Sequence, residues 1–419
     1  MDMLHGTNIH LENKSKSKHF FIYIWIMYAT VYMTRNCFNA AMANIVADGV
    51  LTKSQTGLIT ALFYIVYAPL QIPGGMLADK YNPERLAQIG LLGGAAANVV
   101  IFFNHSYFVI LITWVLNAIV QAPLWPAVFK IISSQLAHKD RRMMVFVLSF
   151  TNTVGLLMGY VLAAFIPSWE YNFAISAVLL VILAILMYEM CMYYGSYTYA
   201  ATPKQEKEHT AQSDTTSTWR LFAASGFLML LPSIMLRTMV ELGAKTLSPT
   251  MLMESYAHIS PRIGNLLNIF VIISGLVGTL LIKLVLYPRF IKNEMTGICV
   301  MLVAALPFTV VLKFVGVIPI PGAVIALCGL TAATVATHLL LSYYNMCFAP
   351  YGKNATAAGL SNAAASLGVV FESYGFLRIA DIFGWNAVTS LWIVMIAVAI
   401  LFTAAGIPLL KRFKRGMPS

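Results

Sequence analysis

The chain has 419 residues, and its composition excludes an ordinary soluble protein. Hydrophobic residues make up 59% of it, charged residues only 10%, and the mean hydropathy is +0.77. Such a composition is typical of a protein embedded in lipid. At about 20 to 25 residues per span, the length accommodates twelve transmembrane helices and leaves no soluble catalytic domain. We therefore predict an all-α polytopic membrane protein.

The net charge of +11 is explained by where the basic residues lie. They occur at the start of the chain, in alternate connections and at its end, as with Lys14, Lys80, Arg142 and Lys414. The positive-inside rule then places both termini on the cytoplasmic side of the plasma membrane, the inner membrane of a bacterium. Because these residues flank apolar segments and form no single basic face, we expect the lipid bilayer as a partner and no nucleic acid.

Residues 20–42 carry the strongest functional signal. Fifteen uncharged residues precede Arg35, and a rise of about 1.5 Å per residue places it roughly 22 Å into a hydrocarbon core about 30 Å thick. A cation there must face protein or water, and it usually marks a substrate or ion pathway. Tyr28, Tyr32 and Asn39 share its helix face. The pattern predicts the wall of a polar cavity; a structural Arg bonded to a neighbouring helix is the alternative.

Residues 109–136 are predicted to form a bent span. The run QAPLWPAVFK places Gln121 and Trp125 beside two prolines. Each proline bends a helix because it removes a hydrogen bond and crowds the preceding turn. We expect a shaped wall here, and in the next span, 143–166, we single out Asn152.

The connection after the second span contains Gly75, Asp79 and Arg85. Glycine lets helices approach closely, and the Asp79 carboxylate can accept bonds from backbone donors or a neighbouring Arg. We predict a tight cytoplasmic turn with a structural or gating role.

A polar, charge-mixed stretch without periodicity interrupts the apolar pattern in mid-chain. Such a stretch is typical of a flexible connection. The predicted parts are a cytoplasmic arm at 1–19, a six-helix bundle at 20–196, a cytoplasmic linker at 197–218, a second six-helix bundle at 219–411 and a cytoplasmic tail at 412–419.

The second half repeats the signal of the first. Sixteen uncharged residues precede Arg237, as fifteen precede Arg35. Parallel six-helix repeats with a site near the bilayer midplane are a transporter architecture. One Arg from each half is therefore expected at a shared central cavity.

Arg237 also has charged neighbours along its own helix. Glu241 and Lys245 follow it at i+4 and i+8, and such residues can neutralise one another along one face. The sequence leaves ligand binding and a structural ion ladder equally open.

Two other ionisable residues fall within predicted spans. Glu372 is a candidate proton-coupling group or the partner of an Arg, and Glu241 is a second coupling candidate. His338 is more typical of a helix-contact residue than of a proton carrier.

No enzyme, cofactor or metal is predicted. The five cysteines show no CxxC spacing, so they are interpreted as small core residues. No GxxxxGK[ST], HExxH or Ser/His/Asp arrangement occurs, which argues against ATP hydrolysis and intramembrane catalysis.

Several motifs together resemble a known family. GMLADK with Arg85 matches a loop signature of the major facilitator superfamily. Four stretches are more telling: YxxxYxxR ending at Arg35, QxxxWP starting at Gln121, APYGKNATAAG at 349–359 and DIFGW at 381–385. They resemble the organophosphate:phosphate antiporter family of glycerol-3-phosphate and hexose-phosphate transporters. The resemblance implies two pseudo-symmetric six-helix bundles, with Arg35 and Arg237 gripping the phosphate.

The departures from that family bear on the substrate. Asn36 stands where the phosphate transporters carry a Lys, and Gln71 occupies another of their Lys positions. Asn152 and Tyr344 stand at two of their His positions. The resemblance therefore implies a less cationic site, suited to a carboxylate or phosphonate as well as to a phosphate ester.

We predict a monomeric secondary transporter of a small organic anion, working by alternating access and driven by anion exchange or a proton gradient. Two alternatives are a proton-driven drug exporter, against which the two arginines argue, and a transporter-like membrane sensor. The substrate-binding residues predicted are Arg35, Arg237, Tyr28, Tyr32, Gln121, Trp125, Asn152, Tyr344, Asn36 and Gln71.

Overall fold

The computed structural model describes residues 14–135, 148, 150–166, 168–194, 218–289, 291, 293–348, 351 and 353–415. Every regular element in these ranges is a helix. Most of the predicted arm and the predicted linker, and the end of the predicted tail, lie outside them.

The first half of the chain forms six helices that we label α1 to α6. Thr52 and Gln55 form a capping box at the start of α2, each side chain accepting a bond from the other's backbone N–H. The Asn82 side chain caps α3 by accepting bonds from the backbone N–H groups of Glu84 and Arg85. The six helices are α1 Lys14–Ala47, α2 Lys53–Lys80, α3 Pro83–Phe103, α4 Tyr107–Gln121 continuing as Leu124–Gln135, α5 Thr151–Phe165 and α6 Trp169–Tyr194.

The second half forms six long helices, α7 to α12, after a short helix at Thr218–Ala224. In the described ranges three of them contain a π-helical turn, a wider turn that is frequent at functional sites. The long helices are α7 Phe227–Leu242 with π turn Gly243–Leu247 and continuation Ser248–Ser255, α8 Pro261–Leu281 with π turn Ile282–Leu286, α9 Glu294–Leu312, α10 Ile320–Met346, α11 Asn354–Phe371 with π turn Glu372–Phe376 and continuation Leu377–Phe383, and α12 Trp385–Arg415.

The predicted twelve-helix fold is confirmed. Nine helices in the described ranges are long and apolar enough to cross a membrane. The other three are α1, α2 and the shorter apolar α5, which completes the twelve.

The chain divides into two compact units. Unit 1 is Met1–Leu51 with Leu62–Lys207, and unit 2 is Thr52–Ala61 with Glu208–Ser419. The first turns of α2 thus group with unit 2. There Lys53 pairs with Glu254 at 2.8 Å and with Asp381 at 3.3 Å.

The bend predicted in the fourth span is present. Helix α4 stops at Gln121 and resumes at Leu124, so the break falls at Ala122 and Pro123. Helix α2 packs closely on this break, since a Cβ added at Gly74 would lie 2.9 Å from Pro123 Cα. The break and the glycine together fix where the side chains on either side of Pro123 point.

Close packing of α1 on α5 positions the Arg35 helix. A Cβ added at Gly155 would lie 2.4 Å from Tyr32 Cβ and 2.5 Å from the Ala29 carbonyl oxygen. Only glycine permits this approach. At Gly159, one turn later, the nearest atom to an added Cβ is 3.6 Å away, an ordinary contact.

Gly155→Ala is therefore expected to destabilise unit 1, because the new methyl group meets backbone atoms that cannot move aside. Overpacking of this kind costs about 1 to 3 kcal/mol, and the melting temperature of the purified protein should fall. Gly159→Ala is the matched control on the same helix and should melt close to the wild type. Equal melting temperatures for both variants would show that the α1–α5 contact is not tight.

Candidate functional site

Arg35 lies at the centre of a polar cluster within unit 1. Its Nε donates to Gln121 Oε1 at 3.1 Å, and its Nη1 donates to the Tyr67 hydroxyl at 2.8 Å. Its Cζ lies 4.5 Å from the centroid of the Tyr67 ring and 5.3 Å from that of Tyr32. The guanidinium is thus held by α2 and α4 and rests on aromatic faces, which attract cations.

The Arg35 cation has no counterion among the described residues. The residue is 6% exposed, and its Nη2 is buried without a hydrogen-bond partner. Among the described residues none of the ion pairs involves Arg35. An uncompensated buried charge costs several kcal/mol, and an anion placed at Nη2 would supply both the missing charge and the missing acceptor.

Two residues predicted from the proline-rich run contribute to this cluster. The Gln121 amide nitrogen donates to Asn117 Oδ1 at 2.7 Å, which turns its oxygen toward Arg35. The Trp125 ring lies 4.8 Å from that of Tyr28, which in turn lies 5.1 Å from that of Tyr32. The structure thus brings together Arg35, Tyr28, Tyr32, Gln121 and Trp125.

Three other predicted binding residues have no described contact with Arg35. The Asn36 side chain donates to the Tyr32 carbonyl oxygen at 2.8 Å and is otherwise buried. Gln71 is partly buried, and Asn152 is exposed. Their roles in binding remain predictions.

A second cluster, which we call the α7 ion cluster, consists of Arg237, Glu241 and Lys245 in unit 2. Arg237 Nη1 donates to Glu241 Oε2 at 2.6 Å, and Lys245 Nζ donates to Glu241 Oε1 at 2.6 Å. All three side chains are nearly buried, with exposures of 3%, 4% and 11%. The single Glu241 carboxylate therefore pairs with two cations, and the cluster has a net charge of one positive unit.

The π turn of α7 sets the position of Lys245. Pro249 has no N–H, so it cannot bond the carbonyl group of Lys245 four residues earlier. Asn268 of α8 donates to that carbonyl oxygen at 2.7 Å, and its own oxygen accepts a bond from Ser248 at 2.7 Å. The freed backbone group is satisfied, and the turn is held in place.

His338 of α10 joins the α7 ion cluster. Its Nε2 lies 2.8 Å from Glu241 Oε2 and 3.0 Å from Arg237 Nη1. Unlike the other three side chains, that of His338 is 46% exposed. The helix-contact interpretation favoured from sequence is therefore incomplete, since the ring meets charged groups.

Glu372 begins the π turn of α11 and is 2% exposed. Its Oε1 lies 2.8 Å from Thr246 Oγ1, and its Oε2 lies 3.0 Å from Ser373 Oγ. The Thr246 hydroxyl also lies 2.8 Å from the Leu242 carbonyl oxygen. A hydroxyl has one proton to donate, so a protonated Glu372 can donate to Thr246 while Thr246 donates to Leu242. No Arg pairs with Glu372 in the described residues.

Tyr344 is placed in the packing core of unit 2. Its hydroxyl donates to the Ser225 carbonyl oxygen at 3.1 Å, and its ring stacks on Phe227 and meets Phe348 edge-on. No contact joins it to the α7 ion cluster in the described ranges. These contacts give Tyr344 a packing role, and its predicted role in binding stays a prediction.

The three residues predicted at the cytoplasmic turn are only partly described. Gly75 faces α4, with an added Cβ 4.0 Å from Pro126 Cβ. Arg85 is exposed in the first turn of α3. The Asp79 side chain lies outside the described set.

Sequence reasoning missed several residues of both clusters. Tyr67 lies in an apolar run of α2, and nothing local distinguishes it from neighbouring aromatic residues. Thr246 and Asn268 carry no ionisable group. The sequence signal for Asn268 was indirect. Pro249 has no N–H, so the Lys245 carbonyl group needs a donor from a polar side chain on another helix.

A twelve-helix bundle with buried cations in each unit defines a polytopic membrane transport protein. The chain belongs to the Major Facilitator Superfamily, whose family model it matches over residues 24–371. The family and the relatives reported below are transport proteins and a sensor, not enzymes, which confirms the prediction that the chain is not an enzyme.

Relatives by sequence are a sensor and anion transporters. The chain is 34% identical over 124 residues to the membrane sensor protein UhpC of Escherichia coli, a match that covers 30% of this chain and only 28% of that protein. It is 23% identical over 417 residues to the glycerol-3-phosphate transporter of Bacillus subtilis, with 92% and 90% coverage. It is 30% identical over 109 residues to the probable sulfoacetate transporter SauU of Cupriavidus necator, with 26% and 25% coverage.

Solved structures share the fold at low identity. A bacterial homolog of the human lysosomal transporter Spinster superposes with a TM-score of 0.69 at 17% identity, covering 96% of this chain and 98% of the other. The D-xylose–proton symporter superposes with a TM-score of 0.70 at 16% identity, covering 92% and 97%.

The α7 ion cluster makes a prediction about stability. Glu241→Gln leaves two buried cations without a counterion, and breaking a buried pair in this way costs about 3 to 5 kcal/mol. Lys245→Gln leaves the Arg237–Glu241 pair neutral and should cost much less. We expect Glu241→Gln to lower the melting temperature far more than Lys245→Gln. A larger fall in melting temperature for Lys245→Gln than for Glu241→Gln would mean that Glu241 is not the counterion of both Arg237 and Lys245.

Proposed function

We propose that the chain is a secondary transporter of a small organic anion, phosphorylated or carboxylated. It works by alternating access, and anion exchange or proton coupling supplies the driving force. The observation that carries this proposal is the buried Arg35 guanidinium, which has one nitrogen without an acceptor and no carboxylate among its described partners.

The chemistry of Arg35 supports an anion with oxygen acceptors. A guanidinium binds phosphate, sulfonate and carboxylate oxygens through charge-assisted bonds. The relatives named for glycerol-3-phosphate and sulfoacetate are transporters of such anions. By the resemblance, Asn36 and Gln71 are uncharged at positions where the phosphate transporters carry Lys, which favours an anion of low charge over a highly charged phosphate ester.

Arg237 and Lys245 are proposed as a second anion-binding group. The single Glu241 carboxylate between them leaves a net positive charge for an anion to neutralise. Glu241 is retained as a coupling candidate, although two cations hold it in place. Both termini are proposed to be cytoplasmic, in a monomer in the plasma membrane.

A membrane sensor is the second candidate function. It is favoured by the 34% identity to UhpC over 124 residues. A sensor binds its ligand without turnover, so flux of labelled organic anions into proteoliposomes separates the two. Saturable binding without flux would identify a sensor.

Arg35→Ala is expected to abolish uptake while the protein stays folded. Removing one partner of a buried charge pair costs about 2 to 5 kcal/mol, so counterflow of labelled anions should fall by at least about 30-fold. Arg35→Lys should also transport poorly, because one ammonium group cannot replace the bonds to Tyr67 and Gln121 together.

Arg220→Ala is the control for this experiment, since Arg220 is exposed on the short helix before α7. It should transport at the wild-type rate. Full counterflow by Arg35→Ala would remove Arg35 from the site.

Glu372 is proposed to couple transport to protons, because its carboxyl group is buried against hydroxyl groups that can accept a hydrogen bond from its protonated form. Glu372→Gln mimics the protonated form. We expect it to lose uptake driven by a pH gradient and to keep exchange of anion for anion, both measured in proteoliposomes. Unchanged pH-driven uptake would count against this role.

A further inference from the structure

We infer that His338 takes up a proton when an oxyanion binds the α7 ion cluster, so that unit 2 binds its anion together with a proton. This inference rests on the proposed function and adds to it the identity of the residue that is protonated in the binding step. It follows from the charges of the cluster, the geometry of the His338 ring and the exposure of its side chain.

The charges of the cluster make a further proton unfavourable until an anion arrives. Arg237 and Lys245 carry two positive charges, and Glu241 carries one negative charge. A protonated His338 would raise the net charge from one to two in a nearly buried site. A bound oxyanion removes that repulsion, so binding the anion and binding the proton favour each other.

The Nε2 atom of His338 has two competing partners. Arg237 Nη1 is a donor 3.0 Å away, and Glu241 Oε2 is an acceptor 2.8 Å away. An unprotonated Nε2 accepts from Arg237, whereas a protonated Nε2 donates to Glu241. The His338 ring can therefore be neutral or protonated in the same position, without movement of the backbone.

Protonation also changes what Arg237 can offer. Glu241 Oε2 accepts from both Arg237 and the protonated ring, so the carboxylate is shared between two donors. Arg237 Nη1 then loses His338 as an acceptor and is left with the shared carboxylate oxygen and the Thr334 carbonyl oxygen at 3.3 Å. Nη1 has two hydrogens, so these two acceptors still match its donors and no reorganisation of Arg237 is required.

The other ring nitrogen, Nδ1, is free to meet the anion. It has no hydrogen-bond partner within the described part of the chain, and the side chain is 46% exposed. The exposed side of α10 is polar here, because Ser342 follows at i+4 and is also exposed. Polar groups at membrane depth face water or protein and not lipid. An imidazolium carries a proton on Nδ1 as well as on Nε2, so it presents a charged donor on this side.

The charged groups that act on His338 all belong to the α7 ion cluster. Arg237, Glu241 and Lys245 face it from α7, while in the described ranges α8, α9 and α11 contribute no charge that acts on it. Glu372 is separate, since it bonds to Thr246 and Ser373. We assign Glu372 to proton coupling in net transport. The proton that is taken up when the anion binds is assigned to His338.

The inference predicts the direction of the pH dependence. Since the complex holds one more proton than the free protein, the affinity for the anion rises as the pH falls, by up to about tenfold per pH unit. The rise ends at the pH where His338 is protonated without the anion.

The test is calorimetric binding of sulfate and of sulfoacetate to the purified full chain, with proton uptake measured in weakly buffered solution. Both probes keep their charge between about pH 6 and 8, so any proton taken up belongs to the protein. His338→Gln keeps a hydrogen-bonding side chain that cannot be protonated, and His338→Lys keeps a permanent charge. His105→Gln is the matched control, because His105 is exposed on a loop of unit 1.

We expect the wild type and His105→Gln to take up close to one proton per bound anion. His338→Gln should bind more weakly, and His338→Lys should bind with an affinity independent of pH; neither should take up a proton. Proton uptake by His338→Gln equal to that of the wild type, pH-independent binding by the wild type, or loss of binding in both His338 variants would overturn the inference. If the wild type bound and transported no anion, the proposed function itself would fall.

Discussion

A buried guanidinium with no carboxylate among its described partners is the constraint on which this molecule depends. Arg35 has acceptors for Nε and Nη1 in Gln121 and Tyr67, but its Nη2 is buried with none. Burying a charge in this way costs several kcal/mol. The aromatic rings of Tyr32 and Tyr67 recover part of it. An anionic ligand would offset the rest of this cost. The buried charge of Arg35 therefore lowers the stability of the free protein and favours binding of an anion.

Unit 2 uses a different solution to the same problem. Its two cations share one carboxylate, and both are held by a helix whose backbone departs from α geometry. Pro249 follows the π turn at Gly243–Leu247 by two residues, and Asn268 donates to the Lys245 carbonyl group that this proline leaves free. A second π turn begins at Glu372 and meets the first through Thr246. Irregular backbone thus lies where the ionisable side chains are, and it is satisfied by side-chain bonds.

The sequence was informative where a pattern repeats along one helix. Charge spacing pointed to Arg35 with Tyr28 and Tyr32, and to the pairing of Arg237 with Glu241, because helical periodicity fixes which residues share a face. Two prolines pointed to the bend beside Gln121 and Trp125. Contacts between helices were beyond such reasoning. Tyr67 reaches Arg35 from another helix, Tyr344 packs in a core, and His338 meets Glu241, 97 residues away in the chain. No local spacing could have predicted these contacts.

The central claim is that an oxyanion completes the coordination of Arg35. Its most direct test is anomalous diffraction from crystals of the wild-type protein grown with selenate, a tetrahedral oxyanion whose selenium can be located independently of the protein. The account predicts an ordered selenium peak within hydrogen-bonding reach of Arg35 Nη2. Crystals with selenium bound elsewhere, and with Nη2 satisfied by a protein carboxylate or carbonyl group, would contradict it.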